Sequence, residues 1–177
     1  MPTRIDLLLG NFQETVKLLQ TYMITGLGAS AFFVLLATSS ATEVQMQAPA
    51  VGSSLPVPTS IAIAIALAVA WATGAMATLL VDRARRLAEV IHEEDQGLLD
   101  AALSYPSVAT LRSGGPRLFL ALAPAVLLLV GSVSFWGMKF ASYWPAVGLV
   151  ALLLPHLVLA FELRSPIGGQ HTHEWRG

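Results

Sequence analysis

Residues 61–72 read IAIAIALAVAWA, with alanine at every even position. Alternation of this kind is the period of a half-buried strand. The surroundings say otherwise. The apolar run continues as TGAMATLLV over 73–81, and no Asp, Glu, Lys or Arg occurs between Val44 and Val81. A lone strand in lipid leaves its backbone N–H and C=O groups unpaired. Barrel strands are about 10 residues long and turn polar side chains toward a lumen. The stretch has neither property, so it reads as a helix. On a helix Ala62, Ala66, Ala70, Gly74 and Thr78 form one stripe of small side chains, and Ala64, Ala68 and Ala72 an adjacent one. Such stripes let backbones approach closely in membranes. They serve either packing within one chain or an oligomer interface.

The rest of the chain follows from this segment. Charged residues make up 12% of the 177 residues, about half the usual share. Uncharged windows also run from Thr21 to Thr42, Leu118 to Met138 and Phe140 to Phe161. About 20 apolar residues of helix cross a bilayer core of about 30 Å. The expected fold is therefore an all-α integral membrane protein with four transmembrane helices in two hairpins. The spans are 21–40, 60–81, 118–138 and 144–163. An amphipathic helix fills 1–20, an extended extracytoplasmic loop 41–59, a helix and loop 82–117, a short turn 139–143 and a tail 164–177. The long amphipathic lead-in makes the first span an uncleaved one rather than a signal peptide.

Nine of the ten Lys and Arg residues lie on one side of this arrangement, leaving Lys139 on the other. The positive-inside rule makes that side cytoplasmic, with both termini inside a bacterial-type inner membrane. Phe135, Trp136, Phe140, Tyr143 and Trp144 would form an aromatic belt at the outer end. Arg83, Arg85, Arg86 and Arg117 read as topology anchors and as ligands for anionic headgroups.

Several features are candidates for function. In 3–20, Ile5, Leu8, Leu9, Phe12, Val16 and Leu19 share one helix face, as in an interfacial helix. Gly26 and Ser30 extend the close-approach face to the first span. Beyond the second span the helix is expected to continue through 82–105, with a seam of Ala84, Ala88, Ile91 and Leu98. That seam either packs on the N-terminal helix or docks a partner as a cytoplasmic stalk. His156 is the one titratable side chain at membrane depth. Pro155 beside it removes an N–H and frees the Ala151 carbonyl. Trp71 and Pro124 lie at similar depth, with Thr25, Ser30 and Thr73 as polar neighbours, which makes an inner-half pocket a candidate. The alternative is a histidine bonded to a neighbouring helix.

Weaker signals have plainer readings. His92–Asp95 is a solvated acidic face, since adjacent helix residues diverge. Ser113-Gly114-Gly115-Pro116-Arg117 is a helix entry whose N–H groups suit a phosphate, but it lacks a P-loop lysine. His171 and His173 belong to a frayed tail. Glu43, Gln45 and Gln47 hint at a pore mouth. With no cysteine, no intramembrane carboxylate and a net charge of −1, nothing points to a thiolate metal site, a coupled transporter or nucleic acid. No cofactor, metal or catalytic residue is expected.

The layout resembles that of small membrane components of bacterial anti-phage defence operons, including the membrane subunit of Kiwa, as it does other four-span proteins. It is a likeness of architecture, and no residue is carried over. The expected function is non-enzymatic: a homo-oligomeric sensor or effector coupled through its cytoplasmic helix to a partner. The alternatives are an accessory subunit of a larger membrane complex, and an oligomeric pore.

Overall fold

A computed structural model describes residues 3–48, 53–94, 96–104, 107, 110, 114–136, 143–165 and 167. The elements are α1 (Arg4–Thr38), β1 (Glu43–Ala48), β2 (Ser53–Pro58), α2 (Thr59–Glu94), α3 (Gln96–Leu103), α4 (Gly114–Trp136) and α5 (Tyr143–Glu162). The stretch IAIAIALAVAWA lies wholly in α2. Three helices, α1, α2 and α4, are long and apolar enough to cross a membrane. The fourth expected span falls on α5, whose apolar stretch Ala146–Glu162 is shorter.

The N-terminal helix and the first span are one element. A capping box starts α1: Thr3 Oγ1 accepts the Asp6 N–H, and the Asp6 carboxylate accepts the Thr3 N–H at 2.9 Å. The Thr3 hydroxyl, then the Thr3 N–H, hold the Asp6 carboxyl below its ordinary value. With 35 residues, α1 extends for about 52 Å, well beyond a bilayer core. The 36-residue α2 is as long and runs antiparallel to it. Their ends outside the apolar windows pack on each other. Phe12, Val16 and Leu19 of α1 share a core with Val81, Ala84, Ala88 and Ile91 of α2. The N-terminal apolar face is thus covered by the same chain instead of lying free on a surface.

The four long helices form a square. α1 packs on α2 and α4, and α5 packs on the same two, so α1–α5 and α2–α4 are the diagonals. The small stripe divides accordingly. Gly26, Ser30, Ala62, Ala66, Ala70 and Gly74 are buried inside the bundle and Thr78 is partly buried. Ala64, Ala68 and Ala72 are exposed. Outward faces also carry Ile24, Leu35, Leu79, Phe119, Val150 and Phe161. An apolar belt of this extent is unstable in water and natural in lipid.

One connection differs from expectation. The loop 41–59 is a β-hairpin, with Glu43 opposite Pro58 and Ala48 opposite Ser53. Pro56 and Pro58 donate no hydrogen bond, which suggests a loop, but a two-stranded ribbon consists of edges and tolerates them. Val44 and Val57 are paired and pack against the core cluster that contains Leu36, Ala62 and Ile63, which seats the hairpin on the bundle end. Thr59 Oγ1 donates to the Ala41 carbonyl at 2.7 Å, closing its base. The helix expected over 82–105 is seen as the end of α2, to Glu94, and as α3, from Gln96 to Leu103, with Asp95 between them outside the described residues. Leu99 and Ala102 of α3 are buried with Ile91 and Phe12, and Leu98 is partly buried. Asp95, the turn 139–142 and the segment 168–177, with His171 and His173, lie outside the described residues, as does Ser113.

At the α1–α4 contact a Cβ on Gly131 would stand 2.5 Å from Phe33 Cε1. Gly131→Ala is expected to destabilise the fold by about 1–3 kcal/mol. Gly28, with nothing within 4 Å of such a Cβ, is the control. Gly28→Ala should be neutral or stabilising by up to about 1 kcal/mol. Thermal unfolding in a mild detergent checks both.

Candidate functional site

The buried polar side chains Thr73 and His156 lie where α5 meets α2. Three of the four expected pocket residues meet there. His156 is 2% exposed and reaches across α2. Its Nε2 lies 3.0 Å from the Ala70 carbonyl oxygen. A carbonyl only accepts, so Nε2 carries the hydrogen and donates. Nδ1 is buried with no partner.

The imidazole fits because Gly74 and Gly26 have no side chain. A Cβ on Gly74 would sit 2.9–3.1 Å from three ring atoms. A Cβ on Gly26 would stand 2.8 Å from Thr73 Oγ1 and 3.5 Å from His156 Cε1. The stripe thus makes a notch for a ring from α5 as well as a close helix contact.

Trp71 answers the defect made by Pro155. Proline at 155 leaves the Ala151 carbonyl without its helical N–H donor. Trp71 Nε1 donates to that oxygen at 3.2 Å. One turn further on, Thr78 Oγ1 lies 3.3 Å from the Pro155 carbonyl and 3.0 Å from that of Gly74. Thr73 and Ser30 bond back to their own helices, Thr73 Oγ1 to Val69 and Ala70, Ser30 Oγ to Gly26. Pro124 is buried on α4 and takes no part in this set of bonds.

Charged groups close one end of the bundle. Arg85 of α2 donates to both the carboxylate and the main-chain carbonyl of Glu162, which ends α5. Arg4 pairs with Glu94 at 3.1 Å, tying the start of α1 to the end of α2. Arg86 pairs with Asp82 one turn away at 3.0 Å. Of the four arginines expected to face headgroups, Arg83 is exposed, Arg85 and Arg86 have protein partners, and Arg117 is buried. The seam residues Ala84, Ala88 and Ile91 are covered by α1. No group of three or more His, Cys, Asp or Glu able to hold a metal occurs among the described residues.

No protein-family model matches the chain, and neither a curated protein nor a solved structure does.

The Trp71–Ala151 bond has a direct test. Trp71→Phe should cost about 0.6–1.7 kcal/mol, the range of hydrogen bonds between membrane helices. In a Pro155→Ala background the Ala151 carbonyl regains a helical donor, so the same change should cost measurably less. A double-mutant cycle on unfolding in detergent reads the difference.

Proposed function

We propose that this chain is a non-enzymatic membrane protein that relays a change in its helix bundle to a cytoplasmic lobe, acting as a sensor or signalling component of an assembly. In this reading α5 completes four spans and both termini are cytoplasmic. The hairpin β1–β2 lies outside, and α3 with the ends of α1 and α2 forms the lobe. The protein sits in a bacterial-type inner membrane.

The double hold of Arg85 on Glu162 carries the reading. It joins the end of α5, six residues beyond His156, to the part of α2 that continues into the lobe. A shift of α5 at the His156 notch would therefore move α2 beyond the apolar zone. Helices with two packed arrangements are the usual relay for such shifts. The partner would meet the exposed charged face of Asp82, Arg83, Glu89 and Glu93, since α1 covers the apolar seam. A second reading, an accessory subunit, is favoured by the outward stripe of Ala64, Ala68 and Ala72, which would let a neighbouring helix approach.

Native mass spectrometry from the protein's own membranes tests the assembly. A defined oligomer, or a fixed ratio with a cytosolic partner that Arg85→Gln abolishes, supports the relay. A fixed ratio with other membrane subunits, unchanged by Arg85→Gln, supports the second reading. A lone monomer contradicts both. The orientation is tested separately, because a chain without cysteine permits clean single-cysteine labelling. Ser54→Cys should react with a membrane-impermeant maleimide on intact cells, and Glu93→Cys only after permeabilisation.

A further inference from the structure

Arg117 lies in the first turn of α4, and the helix-entry motif places it there to face lipid headgroups. It does not. The whole residue is 2% exposed, and Nε and Nη1 are buried with no hydrogen-bond partner. A guanidinium cannot shed its charge to suit an apolar site. A buried cation without an anion is among the least favourable arrangements in a protein. Three carboxylates at this end, among the described residues, are engaged elsewhere. Glu162 holds Arg85, Glu94 holds Arg4 and Asp82 holds Arg86.

The side chain folds back over the start of its own helix, as helical side chains do. A Cβ on Gly114 would lie 3.8 Å from Arg117 Nη2, and one on Gly115 would meet nothing within 4 Å. The first turn of any helix presents N–H groups without intrahelical acceptors. In α4 the described ones belong to Gly114 and Gly115, Pro116 having none. Amides without intrahelical acceptors, the positive end of the helix dipole and an unpaired guanidinium therefore converge on one place, and the two glycines add no side chain to it.

We propose that Arg117 and the N-terminal amides of α4 bind a phosphate group. A guanidinium fork and backbone amides match tetrahedral oxyanions. The phosphate comes either from the headgroup of an anionic phospholipid or from a soluble phosphate compound. This site is independent of the relay proposed above and stands or falls alone.

The test compares the intact wild-type protein with Arg117→Met in neutral detergent. Methionine fills similar volume without charge, so the variant should fold, with an unfolding temperature equal to or above that of the wild type in phosphate-free buffer. Phosphatidylglycerol, phosphatidylcholine and inorganic phosphate are then added separately. A rise of several degrees in the wild type with phosphatidylglycerol but not phosphatidylcholine, absent in Arg117→Met, identifies the lipid source. A rise with inorganic phosphate, also absent in the variant, identifies the soluble source. Equal responses of the two proteins to every addition overturn the proposal. If Arg117→Met fails to fold, Arg117→Lys replaces it. Lysine keeps the charge and loses the fork, so a phosphate response at least tenfold weaker in half-maximal concentration is expected, and an unchanged one overturns the site.

Discussion

One contact orders the bundle: the His156 ring seated in the notch of Gly74 and Gly26, with Nε2 on the Ala70 carbonyl. In lipid, apolar helices gain little by leaving the solvent, so packing and polar contacts must set how they associate. A polar ring that leaves α5 and ends on α2 fixes depth and rotation together. The other α2–α5 contacts then follow in parallel order: Trp71 to Ala151, Thr78 to Pro155 and Arg85 to Glu162. A slip of α5 by one turn would break all of them at once.

The same arrangement explains the composition of α2. Its inward face holds Ala62, Ala66, Ala70 and Gly74, where neighbouring backbones come close. Its outward face is as apolar as the inward one, because the surrounding medium is hydrocarbon. A soluble helix would show a strong contrast between its faces. Here side-chain size, rather than polarity, separates inside from outside. The contrast returns only beyond residue 81, where Ala84, Ala88 and Ile91 are buried beside exposed Asp82, Arg83 and Glu89.

Much of this was legible in the residues. The charge-free windows locate the long helices, and the small stripe marks the inward face of α2. Proline chemistry singles out the Ala151 carbonyl as needing a donor, though not that Trp71 supplies it. What sequence could not show depends on partners distant in the chain. The hairpin was hidden by Pro56 and Pro58, which argue against strands unless both strands are edges. Leu99, absent from the expected seam, is buried in the same core as Phe12 and Ile91. Arg117 at a helix entry reads as facing lipid headgroups, and nothing local indicates that it folds inward.

The central claim is that His156 is locked onto α2. Nitrogen-15 NMR of histidine-labelled protein in detergent, with the signal assigned by its loss in His156→Gln, tests it most directly. The account predicts a proton on Nε2 that exchanges slowly with water and shows dipolar contact with Gly74. A proton found on Nδ1 with Nε2 bare, or rapid exchange with solvent, would contradict it.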